Sequence, residues 1–85
     1  MSFEILIPEP AEREIEKKLD KSMIIRLHKR MQKLRIAPDI YGKPLRRPLE
    51  GTWEIRFENR WRVLNKIDYN QKTVTITGFR HKDEM

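Results

Sequence analysis

The chain has no cysteine, so neither a disulfide nor a thiolate metal site can help to hold it together. Its two histidines, His28 and His81, lack the spacing of a metal-binding motif. No metal or cofactor is therefore expected. Apolar residues never run far enough to suggest a membrane span, and the N-terminus lacks a basic-then-apolar signal. The expectation is a soluble, cytoplasmic protein with no membrane contact. There is no internal repeat and no low-complexity tract. At 85 residues the chain has room for one modest core, read as one domain over residues 1–85.

Charge is what the sequence has in quantity. Lys and Arg number 19 against 13 Asp and Glu, a net of +6. Residues 42–82 hold ten basic and four acidic side chains, while residues 1–20 are net −3 and residues 21–35 are net +6. The second helix candidate and the C-terminal region are thus the basic segments. Such a field favours nucleic acid or an acidic protein partner and says little about fold. A charged fraction of 38% also fits a heat-adapted surface.

Taken in order, Ser2 to Ile7 reads as a short strand. Pro8 and Pro10 end it and open a helix whose first turn carries Glu9 and Glu12. Ala11, Ile15 and Leu19 form its apolar stripe. Asp20-Lys21-Ser22 breaks the helix, with Ser22 the expected N-cap of the next one. Met23, Ile24, Leu27, Met31 and Leu34 give that second helix a broader stripe, opposite Arg26, Lys29 and Lys33. It should fail at Ala37-Pro38, since a residue before proline avoids the helical region. The proline-rich stretch 38–51 reads as a loop carrying Lys43, Arg46 and Arg47.

Three strands follow. Trp53, Ile55 and Phe57 alternate with Glu54 and Arg56; after a turn at Glu58-Asn59, Trp61, Val63 and Ile67 alternate with Arg62, Leu64 and Lys66. This period of two marks a sheet with one packed and one polar face. A turn at Tyr69-Asn70-Gln71 leads into the β-branched run Thr73–Thr77. The predicted fold is α+β in the order β-α-α-β-β-β, a helical hairpin packed on a small, largely antiparallel sheet.

Antiparallel connection brings the end of the first meander strand, the start of the second and the end of the third to one place. Those segments hold Arg56, then Arg60 and Arg62, then Arg80, His81 and Lys82. Guanidiniums gathered so closely suit a phosphodiester, which they bind bidentately and at any relevant pH. RNA cleavage without a metal needs a base for the 2′-OH, cations for the phosphorane and an acid for the 5′-oxygen. Arg56, Arg62 and Arg80 are candidates for the cationic part, and Glu54 or His81 for proton transfer. Lys43, Arg46, Arg47, Arg60 and Lys82 are candidate RNA contacts around them. Trp53 and Trp61 divide between core packing and base stacking.

The ordered set Leu49, Gly51, Trp53, Ile55, Arg56, Trp61, Arg62, Val63 and Ile76, Gly78, Phe79, Arg80 resembles the RelE/ParE toxin superfamily, and nearly the whole chain shares in the likeness. The resemblance implies a toxin of a toxin–antitoxin pair, an endoribonuclease that cleaves mRNA in the ribosomal A site, with ribosomal RNA contacts. It also implies a cognate antitoxin, expected to be acidic. By the same resemblance Arg62 and Arg80 are functional. Positions matching Glu54 and Arg56 carry lysines in the prototype, so Arg56 keeps that charge and Glu54 reverses it. Many members place a tyrosine five or six residues after the last arginine; here HKDEM follows Arg80, and Tyr41 is the alternative. Two rival readings stay open: a gyrase inhibitor of the ParE kind, and an RNA- or ribosome-binding module with weakened catalysis.

Overall fold

A computed structural model describes residues 2–45 and 51–84. Arg46 and Arg47 among the expected RNA contacts, and Leu49 of the ordered set, lie outside the described residues. A five-stranded sheet carries two main helices on one face. In chain order the elements are β1 (Glu4–Leu6), α1 (Glu9–Lys18), α2 (Lys21–Met31), a 3-10 turn (Gln32–Arg35), α3 (Pro38–Tyr41) and β2 (Lys43–Pro44). Then come β3 (Trp53–Phe57), β4 (Trp61–Asp68), β5 (Thr73–His81) and a closing 3-10 turn (Lys82–Glu84). The strand order is β1-β5-β4-β3-β2. β1 runs parallel to β5 and every other pairing is antiparallel.

The helices follow local rules. Prolines can occupy the first turn of α1 because the first N–H groups of a helix have no intrahelical partner. Lys17 and Lys18 close its other end, where cations favour the dipole. Ala11, Ile15 and Leu19 are buried as the stripe predicts. For α2 the N-cap is Asp20 and not Ser22: the Asp20 Oδ1 accepts the Met23 N–H at 2.8 Å. Ser22 sits inside the first turn, whereas Asp20 stands three residues before the N–H a cap must reach. Leu27, Met31 and Leu34 are buried, the last on the 3-10 turn that tightens the helix before Ala37.

Two elements appear where a loop was expected. Pro38 opens α3 and Asp39 lies in its first turn, a helix-start pattern that the proline count obscured. Gly42 lets the end of α3 lie against the sheet, since a Cβ there would meet the Pro38 carbonyl oxygen of α3 at 3.0 Å and the Glu54 carbonyl oxygen of β3 at 3.4 Å. β2 then pairs Lys43 with Glu54 and Pro44 with Trp53 as an edge strand, where proline is tolerated.

The core lies between the helices and Ile55, Phe57, Val63, Val74, Ile76 and Phe79. Trp61 stacks on Phe79, ring centroids 4.8 Å apart. One residue on this face departs from the apolar pattern. Asn65 is fully buried, and neither its Oδ1 nor its Nδ2 meets a partner among the described residues. It lies where the β4–β5 register shifts: Leu64 pairs with Gly78 but Asn65 with Ile76, leaving Thr77 as the extra residue of a bulge.

Candidate functional site

The site is built on the sheet face opposite the helices, at the end where β3, β4 and β5 meet. Register places Arg56 beside Arg62 and Arg62 beside Arg80. Side chains on directly paired strands stand about 5 Å apart, so the three form a row across adjacent strands. The next row is Lys43, Glu54, Leu64 and Gly78. Both turns that set this register are well defined. Arg60 N–H returns to the Phe57 carbonyl, with Glu58 and Asn59 at positive φ, the mirror-image turn that suits a twisted hairpin. At the other end the Asp68 side chain accepts the N–H groups of Asn70 and Gln71.

Three like charges in a row repel unless carboxylates intervene, and two do. Glu54 Oε1 lies 3.4 Å from Arg62 Nε and 3.9 Å from Arg56 Nε. Both Glu54 and Arg62 are largely buried, with side chains 11% and 16% exposed, whereas Arg56 is 65% exposed. Arg62 is therefore held and Arg56 is free to reach outward. Arg80 meets Glu14 of α1, its Nη1 standing 2.7 Å from each carboxylate oxygen.

The remaining candidates divide. Lys43 is exposed beside Glu54. Arg60 and Lys82 are joined by a 2.7 Å bond from the Lys82 N–H to the Arg60 carbonyl, so both adjoin the row at its hairpin end. His81 is not in it. Pairing with Trp61 puts His81 on the helix side of the sheet, edge-on to the Trp61 ring at 5.1 Å. Its Nδ1 accepts the Asp83 N–H. The alternation that aims Arg80 at the open face must aim its neighbour the other way. Tyr41 stands under Lys33, 5.4 Å from Nζ to ring centroid, and Tyr69 packs edge-on against Phe3. Trp53 and Trp61 both lie on the packed side by register. Arg26 of the basic helix pairs with Glu58 at 2.9 Å, and Arg30 donates to the Arg56 carbonyl, tying α2 to the hairpin. Glu14 was not legible in the sequence, being 66 positions from Arg80; its only local signal is a place beside the buried stripe of α1.

Compared with solved structures, the fold matches the RelBE2 toxin–antitoxin complex of Mycobacterium tuberculosis at 30% identity. The match covers 96% of this chain and 100% of that one with a TM-score of 0.81. This chain belongs to the RelE/ParE toxin superfamily. The intact Escherichia coli RelBE toxin–antitoxin complex shares the superfamily fold at 18% identity and TM-score 0.75, over 92% of this chain and 94% of that one. The RelE–RelB complex of Pyrococcus horikoshii does so at 14% identity and TM-score 0.75, over the whole of both chains. No family model matches the chain, and a search of curated proteins returns no match. The α+β fold of a helical hairpin on a largely antiparallel sheet is the superfamily's. No helix among the described residues is long and apolar enough to cross a membrane.

Proposed function

We propose that this protein is the toxin of a type II toxin–antitoxin pair and a ribosome-dependent endoribonuclease that cuts mRNA in the A site. The observation that carries this reading is the cross-strand row Arg56, Arg62 and Arg80 with Glu54 beside it. Arg62 and Arg80 hold the scissile phosphate and offset the charge that grows on its oxygens as the phosphorane forms. Arg56, the most exposed of the three, meets the RNA first. Glu54 takes the 2′-OH proton; the 2′-oxygen attacks phosphorus, the bond to the 5′-oxygen breaks, and that oxygen takes a proton from water on the open face. The products are a 2′,3′-cyclic phosphate and a 5′-hydroxyl. The guanidiniums supply the charge stabilisation, so no metal enters the scheme. The neutralising partner is an antitoxin with acidic segments, matched to the net charge of +6, and the pair works in the cytoplasm.

Incubation with translating ribosomes and a defined mRNA tests the reading. Wild type should leave cyclic-phosphate ends at A-site codons, and Arg62→Ala and Glu54→Ala should each slow the cut by about 100-fold or more, the scale for loss of a charge-stabilising group or a general base. Intact mRNA with wild type overturns it. Salt-sensitive RNA binding without a cut would leave a binding module, and inhibition of gyrase supercoiling would leave the ParE kind.

A further inference from the structure

We propose that Glu14 is a positioning residue that fixes the guanidinium of Arg80 for phosphate binding, an assignment that rests on the nuclease reading above. β1 pairs only with Thr73–Thr75, so among the described residues no strand lies on the outer side of the later half of β5. α1 covers that edge with side chains. Glu14 Oε1 accepts the Phe79 N–H at 2.8 Å, and Lys18 Nζ donates to the Phe79 carbonyl at 3.1 Å. The carboxylate is thereby fixed to the sheet backbone, and through it Arg80 is fixed as well.

Gly78 completes the arrangement. A Cβ there would lie 3.5 Å from Arg80 Nη1 and 3.6 Å from its Cζ, so the arginine lies back across the glycine on the open face. Among the described residues every hydrogen bond of this guanidinium is made through Nη1, to Glu14 and to the Phe79 carbonyl. The Nε and Nη2 edge is left for a ligand, two parallel donors spaced to match two phosphate oxygens. Holding the side chain beforehand removes the ordering that binding would otherwise require. The negative charge of Glu14 also offsets repulsion from Arg62, the cross-strand neighbour. Glu14 itself stands at the sheet edge and reaches the phosphate only through Arg80.

Glu14→Gln keeps an amide oxygen for the Phe79 N–H while losing the charge and one acceptor, so it separates positioning from folding. Single-turnover cleavage of ribosome-bound mRNA is measured for wild type, Glu14→Gln, Arg80→Ala and the double variant. Glu14→Gln should lower the maximal rate about 10-fold and leave the half-saturating concentration within about twofold; Arg80→Ala should lower the rate about 100-fold. In the Arg80→Ala background Glu14→Gln should cost under about twofold more. An equal cost in both backgrounds means a structural role and overturns the assignment. Nitrogen-15 NMR of the free protein gives a second readout: Arg80 Cζ–Nη rotation should be slow in wild type and fast in Glu14→Gln, and equal rates overturn the assignment. If wild type cleaves nothing, the nuclease reading fails alone and the NMR comparison decides the role of Glu14.

Discussion

At the scale of single residues, the open face is ordered by charge pairing and the packed face by one exception to apolarity. Arg62 and Arg80 each have a carboxylate, while Arg56 is mostly in solvent. Asn65 is the opposite case, an amide buried with no partner among the described residues. Leaving such a group unsatisfied costs about 1–3 kcal/mol. Asn65→Leu, close in volume, should therefore stabilise the protein by about 1 kcal/mol, or roughly 4–8 °C in melting temperature. Thermal and urea unfolding check this, and a lower melting temperature would show that the amide earns its place by shaping the bulge. Strand alternation already put position 65 on the packed side. What alternation could not show is that the bulge at Thr77 sits beside it.

At the scale of elements, α1 is more than a lid on the core. It serves as the missing neighbour of β5, and Lys18 extends the clamp to the closing turn by an ion pair with Glu84 at 3.3 Å. The His81 N–H bound to Glu84 holds that carboxyl below the ordinary glutamate range. Loss of solvation opposes this, and the hydrogen bond and charge of Lys18 and the charge of Arg80 add to the lowering. A lowered folded pKa means the contribution is present above the ordinary glutamate value and is lost as pH falls through the folded one. The His81 amide signal should therefore titrate with a midpoint below that of a glutamate in an unstructured peptide, and Glu84→Gln should abolish the step. A midpoint equal to the peptide's would refute the clamp. The helices were largely legible because caps, prolines and stripes act over a few residues. The contacts of α1 with the end of β5 were not, since nothing within either segment names the other.

Over the whole molecule, basic residues of α2 and the hairpin belong to one construction: Arg26 reaches Glu58, and Arg30 reaches the backbone at Arg56. Part of the basic charge is thus engaged between elements of the fold, and the row on the open face is the part we propose for an anion. If three arginines each displace one counterion from single-stranded RNA, the logarithm of affinity should fall with the logarithm of salt at a slope of about −2. Arg56→Ala should reduce that slope by about 0.7. Filter binding of an RNA oligonucleotide across a salt series measures both, and a slope unchanged by Arg56→Ala would remove this residue from the interface.

The sequence by itself determined which residues lie on each face of the first two meander strands, where the hairpins turn and which stripes the helices bury. Each of these follows from a period or a cap read over a few neighbouring positions. It also held the opposition of His81 to Arg80, since neighbouring residues of a strand face opposite ways; that Arg80 shares the face of Arg62 depends on the bulge at Thr77. Tertiary structure decided the rest: that β1 stops short along β5, that α1 fills the gap, and that Glu14 is the carboxylate beside Arg80. Those outcomes depend on how a helix crosses a sheet. Packing across 66 positions of chain fixes that crossing, and no local pattern encodes it.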